Sequence, residues 1–167
     1  MSSEKGRDWT FIVYPESAPD NWRELLDDTH LRWIESPLHD KDVNEDGEIK
    51  KAHWHILLSF DGPVTVEAVE KIVDKLNCPD PRKVGSGKGL VRYMIHKDNP
   101  EKFQYSIDEI VGHNGADVAS YFEMTHTSKL VLMKEIVNYI VKNEIDNYAD
   151  FLMLQMFPRS KYFVIVS

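Results

Sequence analysis

The chain has 167 residues, 42% of them hydrophobic, and a formal net charge of −8 at pH 7. This length suffices for one sizeable core, and no apolar run approaches the roughly 20 residues of a membrane span. The acidic balance argues against a protein that coats nucleic acid non-specifically, because Lys and Arg supply most of such binding. The single cysteine, Cys78, excludes an intramolecular disulfide, and residues 1–8 lack the apolar stretch of a signal peptide. We therefore expect a cytoplasmic protein with no membrane partner.

Strands and helices alternate along the first part of the chain. The apolar pattern predicts, in chain order, a strand at 9–14, a helix at 21–29, strands at 31–35 and 52–60, and a helix at 65–76 with Thr65 as its N-cap. The polar connection 39–51 carries a turn signal at 44–47. A helix at 90–97, a short strand at 102–105 and a helix at 116–122 complete the predicted domain.

Two histidines flank a tryptophan near the start of the third predicted strand. Alternate side chains of a strand share a face and lie roughly 6–7 Å apart, so His53 and His55 could bind one metal ion. Such a pair is by itself more often ordinary surface or core histidine. Here, however, the opposite face is filled by apolar residues, namely Trp54, Ile56, Leu58 and Phe60. Three further candidate ligands lie just upstream, namely His39, Asp40 and Asp42.

Residues 82–104 reverse the acidic character of the chain, with six Lys and Arg residues against two acidic ones. They surround Tyr93 and the glycine-rich stretch 85–89, whose spacing matches neither a Walker loop nor a dinucleotide fingerprint. A charge run is usually only a solvated face, but these surroundings favour a phosphate track. On the predicted helix, i+3 and i+4 spacing places Tyr93, His96 and Lys97 on one side.

Beyond about residue 125 the pattern predicts helices at 128–143 and 148–156. The first carries an apolar stripe, which is typical of a core or partner-docking face and comprises Leu130, Met133, Ile136, Val137, Ile140 and Val141. The last residues, 162–167, form an apolar run with no closing element. This run indicates a tail that packs on another subunit or a chain that is cut short.

Five motifs, in order, resemble those of rolling-circle plasmid replication initiators. These proteins belong to the HUH endonucleases, which are named for a His-hydrophobic-His pair. The motifs are Phe11-Ile12-Val13-Tyr14-Pro15-Glu16-Ser17, Ser36-Pro37-Leu38-His39-Asp40-Lys41-Asp42, Lys50-Lys51-Ala52-His53-Trp54-His55, Pro63-Val64-Thr65 and Tyr93-Met94-Ile95-His96. The resemblance covers residues 9–125 and extends more loosely into the helical tail.

The resemblance implies an α+β fold with an antiparallel sheet flanked by helices, related to the ferredoxin-like and RNA-recognition folds, plus a small C-terminal helical segment. Residues 1–125 would form an origin-binding and nicking endonuclease domain, and 126–167 part of an oligomerisation region. The implied metal ligands are His39, Asp42, His53 and His55, with Asp40 a neighbour. Tyr93 matches the nucleophile, and His96 and Lys97 would support it.

The implied chemistry is metal-assisted attack of a tyrosine on one DNA strand, which leaves a 5′-phosphotyrosyl link and a 3′-hydroxyl primer. Imidazole and carboxylate ligands suit Mn²⁺, which we expect, and also Co²⁺, Ni²⁺ or Zn²⁺, and Mg²⁺ less well. The implied partners are plasmid origin DNA, single-stranded or as an extruded hairpin, the host polymerase and helicase, and further copies of the chain. Candidate DNA contacts are Lys50, Lys51, Arg82, Lys83, Lys88, Arg92 and Lys97.

Alternatives remain open at this point. A mobilisation relaxase or viral initiator would use the same chemistry, whereas a non-catalytic DNA-binding domain or a metalloenzyme for small phosphoesters would not need the tyrosine. Tyr93 and the four candidate ligands count against the non-catalytic domain. Several residues are predicted to have lesser roles: Tyr105 and Tyr121 as weaker nucleophile candidates, His113 and His126 as surface or cap residues, and Cys78 as non-catalytic.

Overall fold

A computed structural model describes residues 5–147. In chain order its elements are β1 (Lys5–Val13), α1 (Trp22–Asp27), β2 (Arg32–Glu35), β3 (Trp54–Thr65), α2 (Val66–Val73), β4 (Arg82–Lys83), α3 (Gly87–Tyr93), β5 (Val111–His113) and α4 (His126–Lys142). Short 3₁₀ helices lie at Asp74–Leu76, Ile107–Glu109 and Ala119–Tyr121. The described residues fall into two compact units, the first ending at Phe122 and the second beginning at Glu123. The functional division predicted at residue 125 stays a prediction.

One antiparallel sheet organises the first unit, with the strand order β4-β1-β3-β2-β5. The long β3 is its centre, because it pairs with β1 on one side and with β2 on the other. The short β4 and β5 form the edges, on β1 and β2 respectively. The predicted α+β class, with an antiparallel sheet, flanking helices and a C-terminal helix, is confirmed.

Alternate side chains of the strands build a separate core on each face of the sheet. One core joins β1, β2 and β3 to α1 and α2 and includes Trp9, Phe11, Trp33, Ile56, Leu58, Trp22, Leu26, Val69 and Val73. The other joins Ile34 and Leu57 to Val91 and Met94 of α3 and its C-terminal turn. Because side chains alternate along a strand, His55 lies on the same face as Leu57, which is the face that α3 covers.

The predicted elements of the first half are confirmed with shifted ends. β3 continues beyond the predicted limit at Phe60 to Thr65, and α2 follows without a loop. Thr65 occupies the predicted N-cap position, although its side chain makes no capping hydrogen bond. The apolar side chains of Val69 and Val73 in α2 are buried.

The second half differs more from the prediction. α3 begins inside the glycine-rich stretch, where the Ser86 hydroxyl accepts a hydrogen bond from the Gly89 N–H at 3.1 Å, and it ends at Tyr93. The helix predicted at 90–97 is therefore wrong at its C-terminal end, and His96 and Lys97 lie on the following turn. No strand forms at 102–105, and only Ala119–Tyr121 is helical within 116–122. The sequence pattern also did not predict the edge strands β4 and β5, because both are too short to produce an alternating apolar pattern.

The second unit contains α4, which confirms the helix predicted at 128–143. Its N-cap is Thr125, whose hydroxyl accepts from the Ser128 N–H at 3.1 Å. The predicted apolar stripe is exposed at several positions, namely Leu130, Met133, Val137 and Val141. The helix predicted at 148–156 and the apolar run at 162–167 lie outside the described residues. Within 5–147, no helix combines the length and the apolar character that a membrane crossing requires.

Gly112 in β5 fits where no larger residue would. A Cβ added there would lie 2.4 Å from the Ala116 carbonyl oxygen and 3.0 Å from Cγ2 of Val118. Gly112→Ala should therefore lower the free energy of unfolding by about 1–3 kcal/mol, the usual effect of overpacking. Urea unfolding followed by tryptophan fluorescence would measure it.

The matched control is Gly62→Ala in β3, where the described part of the chain places no atom within 4 Å of the added Cβ, apart from the adjoining residues. This change should stay within about 0.5 kcal/mol of the wild type. Equal stability of the two variants would contradict the packing described for β5.

Candidate metal centre and nucleophile

Backbone hydrogen bonds fix the loop after β2 against the start of β3. The His39 N–H donates to the His53 carbonyl at 2.9 Å, and the His53 N–H donates back at 3.3 Å. The Ser36 hydroxyl also accepts from the His55 N–H at 2.9 Å. This pairing gathers three imidazoles, so that one ring nitrogen from each of His39, His53 and His55 lies within 4.8 Å of the others.

Three imidazoles near this point are oriented by main-chain carbonyls. The bonds run from His39 Nε2 to Met94 O (2.8 Å), from His53 Nδ1 to Lys51 O (2.8 Å) and from His96 Nδ1 to Phe103 O (2.7 Å). A carbonyl oxygen only accepts, so the bonded ring nitrogen must carry the proton. The other nitrogen of each neutral ring is then a lone-pair donor, which is the arrangement that metal-binding histidines show.

Asp42 adds a carboxylate to the same centre. Its Oδ2 lies 3.1 Å from His39 Nδ1 and 3.6 Å from His96 Nε2, and its side chain is only 10% exposed. His39, Asp42 and His96 form a second group of ligand atoms within 4.8 Å of one another. His39 belongs to both groups, so the two groups adjoin at its ring.

The protonation states suit metal binding. Burial lowers the pKa of His55 to about 3 and, as the largest influence, also lowers the pKa of His39. Burial raises the pKa of Asp42, but the imidazoles of His39 and His96 and the Tyr105 hydrogen bond bring it below its ordinary value. At neutral pH the imidazoles of His39 and His55 are therefore neutral and the Asp42 carboxyl is ionised, which are the forms that coordinate a metal.

The contact between the His39 ring and the Asp42 carboxylate favours a bound cation. With its proton on Nε2, the His39 ring presents a lone pair at Nδ1 to a carboxylate oxygen 3.1 Å away. Two acceptors that face each other repel unless a proton or a metal ion lies between them, and burial disfavours a second proton on the ring. Each of the two three-residue groups brings its ligand atoms close enough together to hold a divalent ion.

Tyr93, the last residue of α3, lies beside this centre. Its ring meets the His55 ring edge-on, with 5.7 Å between centroids. The Tyr93 hydroxyl accepts a hydrogen bond from Lys102 Nζ at 2.9 Å, and the same ammonium lies 4.6 Å from the centroid of the ring. A groove of about 320 Å³ opens beside the tyrosine, lined by residues that include Thr10, His55, Arg82, Leu90 and Tyr93.

Two of the basic residues predicted to contact DNA line cavities at this centre. Arg82 of β4 lines the groove with Tyr93, and Lys50 lines a smaller pocket next to Asp42 together with Lys102. Lys83 follows Arg82 on the exposed edge strand, and Lys88 lies in the first turn of α3.

The other predicted DNA contacts have partners within the chain. Arg92 forms a two-bond ion pair with Asp98, in which Nε donates at 2.7 Å. Lys51 pairs with Glu16 at 2.8 Å. Lys97 has its ammonium 5.3 Å from the Phe122 ring. Lys97 follows the end of α3, and the lysine that donates a hydrogen bond to the Tyr93 hydroxyl is Lys102.

Comparison with known proteins identifies the family. The model of the plasmid replication protein origin-binding domain matches residues 1–119. A replication protein of Staphylococcus aureus is 41% identical over 138 residues, which are 83% of this chain and 69% of that protein. The replication protein RepB of Lactiplantibacillus plantarum is 38% identical over 158 residues, 93% of this chain and 72% of that protein. A RepB of Streptococcus agalactiae is 30% identical, over 90% of this chain and 76% of that protein. The chain belongs to this family of plasmid replication proteins.

Sequence reasoning missed one structural role in this replication protein. Tyr105, weighed only as a weaker nucleophile, donates from its hydroxyl to Asp42 Oδ1 at 3.2 Å and stacks on the His39 ring, with 4.4 Å between centroids. Burial raises the pKa of Tyr105 to about 12, which makes it a poor nucleophile and a good hydrogen-bond donor. The contacts of Tyr105 and Lys102 arise from a turn without regular structure, so no periodicity in the sequence could have revealed them.

The remaining weaker candidates lie away from this centre. His113 is stacked on Trp33, with 3.5 Å between centroids, and faces Glu35 Oε2 at 3.4 Å; its prediction as a surface residue was wrong, because β5 brings it onto the sheet. His126 is exposed at the first turn of α4. Tyr121 lines a different cavity, with Arg7 and Ser59. Burial raises the pKa of the Cys78 thiol to about 11, which disfavours a thiolate nucleophile.

Proposed function

We propose that this replication protein initiates rolling-circle replication by nicking one strand of plasmid origin DNA, with Tyr93 as the nucleophile, and that it is an HUH endonuclease. The observation that carries the proposal is the proximity of the tyrosine to a set of unprotonated metal donors. The His55 and Tyr93 rings are 5.7 Å apart, and a groove opens beside both. A phosphodiester seated in that groove would meet the nucleophile and the ion together.

The proposed ligands of the ion are His39, Asp42, His53 and His55. Imidazole with one carboxylate suits Mn²⁺, our first choice, as well as Co²⁺, Ni²⁺ and Zn²⁺, and suits Mg²⁺ less well. When bound, a divalent ion polarises the non-bridging oxygens of the scissile phosphate and stabilises the charge that develops there. The chain's part is to hold the donors deprotonated and oriented through the carbonyl hydrogen bonds described above.

The proposed reaction exchanges one phosphoester for another. The Tyr93 oxygen attacks phosphorus and loses its proton, the bond from phosphorus to the 3′-oxygen breaks, and that oxygen takes up a proton to become a free 3′-hydroxyl. The 5′ side of the nick stays linked to the tyrosine. Because the phosphotyrosyl bond keeps the phosphoester energy, the same groups can reverse the step and rejoin the strand.

The proposed substrate is single-stranded or hairpin-extruded origin DNA, whose backbone the groove would position through Arg82. The other basic candidates, Lys50, Lys51, Lys83, Lys88, Arg92 and Lys97, would contribute only if DNA displaces their present partners or reaches them at the surface. Host polymerase and helicase would act on the 3′-hydroxyl and the opened duplex. Association of further copies of the chain through the region after residue 125 also belongs to the proposal.

Intact-mass analysis tests the reaction. The chain is incubated with Mn²⁺ and single-stranded oligonucleotides that tile the origin of its parent plasmid. We expect a mass increase equal to one cleaved fragment, present only with metal. Cleavage without an adduct would point instead to a metal-activated water, and binding without cleavage would point to a DNA-binding module.

Lys102 is expected to assist the tyrosine, because its ammonium donates to the attacking oxygen and would stabilise the negative charge on that oxygen. Lys102→Met should lower the rate of adduct formation by about 100-fold, a typical effect of removing one donor at a reacting oxygen. Single-turnover kinetics with a cleaved oligonucleotide would measure the rate.

The control is Lys71→Met, which removes an exposed lysine from α2 on the opposite face of the sheet. Its rate should equal that of the wild type. If Lys102→Met and Lys71→Met cleave equally fast, the hydrogen bond from Lys102 has no part in the reaction.

A further inference from the structure

We propose that His96 is a direct ligand of the divalent ion, through Nε2, and is not a group that activates the tyrosine. The inference rests on the metal centre of the proposed function and extends its donor set from four residues to five. His96 comes from the turn after α3, whereas the four other donors come from β3 and from the loop before it.

The His96 ring has one nitrogen that is otherwise unexplained. The side chain is fully buried, with 0% exposure, and Nδ1 donates to the Phe103 carbonyl at 2.7 Å. In a neutral ring Nε2 then carries a lone pair, and among residues 5–147 this buried atom has no hydrogen-bond partner. A buried polar atom without a partner is costly. Asp42 Oδ2 lies 3.6 Å from Nε2, and a carboxylate oxygen cannot satisfy a lone pair but can share a cation with it.

Neither ring nitrogen of His96 serves the nucleophile. Nδ1 donates to the Phe103 carbonyl, and Nε2 lies 3.6 Å from Asp42 Oδ2. The Tyr93 hydroxyl has Lys102 as its hydrogen-bond partner, and its ring meets the His96 ring only edge-on, with 5.3 Å between centroids. A ligand role accounts for both nitrogens of the ring, and a role as the base for Tyr93 accounts for neither.

The backbone after α3 fixes the place of His96. The Lys97 N–H bonds to Arg92 O at 3.0 Å and the His96 N–H bonds to Tyr93 O at 2.9 Å, which is the hydrogen-bond pattern of a Schellman helix end. His96 occupies the left-handed position of this motif, with φ of 55°. Glycine is the residue usually found there, and asparagine comes next.

A count of metal-bound imidazoles in the wild-type chain decides between four and three histidine ligands. The chain has seven histidines, and ¹⁵N-histidine labelling allows each ring to be followed by NMR during titration with Zn²⁺, a diamagnetic probe for this nitrogen-rich site. We expect four rings to move to metal-bound nitrogen shifts, from His39, His53, His55 and His96. Three bound rings would overturn the proposal.

Calorimetric titration with Mn²⁺ provides the second measurement. His96→Asn keeps a residue that tolerates the left-handed backbone and removes the Nε2 donor. Mn²⁺ affinity should therefore fall by about 10- to 100-fold or more, because the loss of an outer-shell partner alone costs that much. The matched control is His113→Asn, because His113 Nε2 is also buried without a hydrogen-bond partner but faces Glu35. Unchanged affinity in a folded His96→Asn chain would overturn the proposal.

These results separate the ligand assignment from the proposed nicking reaction. A wild-type chain that binds Zn²⁺ through four imidazoles but forms no DNA adduct would support His96 as a ligand and overturn the role of Tyr93. An adduct formed by a chain with three bound imidazoles would overturn His96 as a ligand and support the role of Tyr93. A chain that binds neither Zn²⁺ nor Mn²⁺ would overturn the metal centre and with it the role of His96.

Discussion

Replacing Tyr93 with phenylalanine is expected to abolish the covalent DNA adduct, with a loss of at least about 10⁴-fold in the rate of cleavage. The substitution removes only the hydroxyl oxygen that would attack phosphorus. The ring would keep its edge-on contacts with His55 and His96, whose centroids lie 5.7 Å and 5.3 Å away, so the fold of this region should persist. Intact-mass analysis with the cleaved oligonucleotide and Mn²⁺ measures the adduct.

Two controls make this result specific. Mn²⁺ affinity of the Tyr93→Phe variant should equal that of the wild type, because the phenol is not among the proposed donors. Tyr121→Phe, which alters a tyrosine in a separate cavity, should leave the adduct intact. An adduct that survives in Tyr93→Phe would mean that another residue, such as Tyr105, is the nucleophile.

Replacing His55 with alanine is expected to lower the Mn²⁺ affinity by more than about 100-fold and to stop cleavage. Losses in the outer shell of a metal site alone cost about 10- to 100-fold, and His55 is a proposed direct ligand. Burial lowers the pKa of the His55 imidazole to about 3, so its lone pair is available throughout the neutral range and no other side chain would replace it. Calorimetric titration with Mn²⁺ gives the affinity.

His126→Ala is the matched control, because it removes an exposed histidine at the start of α4. This variant should bind Mn²⁺ as the wild type does, and far-ultraviolet circular dichroism should show that both variants keep their secondary structure. If His55→Ala bound Mn²⁺ with full affinity, the proposed donor set would be wrong.

Sequence reasoning worked where one strand carries the whole pattern. The alternation along β3 placed Ile56 and Leu58 in one core and left His53 and His55 for the other face, because a two-residue period is a local property of the backbone. The five ordered motifs also predicted a plasmid replication protein, the class that the comparisons identify.

The same reasoning failed where tertiary contacts decide. The helical spacing that grouped Tyr93 with His96 and Lys97 ignored the helix end, which the Schellman hydrogen bonds set at Tyr93. Lys102 reaches the Tyr93 hydroxyl from nine residues away through a segment with no regular structure. Such a contact depends on the path of the turn, which no single-residue preference encodes.

The main-chain carbonyls that orient the imidazoles have a consequence for how this protein can vary. Metal sites commonly use side-chain carboxylates or carbonyls for this purpose, but here the acceptors belong to the peptide groups of Lys51, Met94 and Phe103. Any amino acid at those three positions supplies the same oxygen, provided that the backbone keeps its course. Substitutions at Lys51 and Phe103, and at Met94 where the core packing is kept, would therefore leave the histidines oriented, and a comparison of sequences alone would overlook these acceptors.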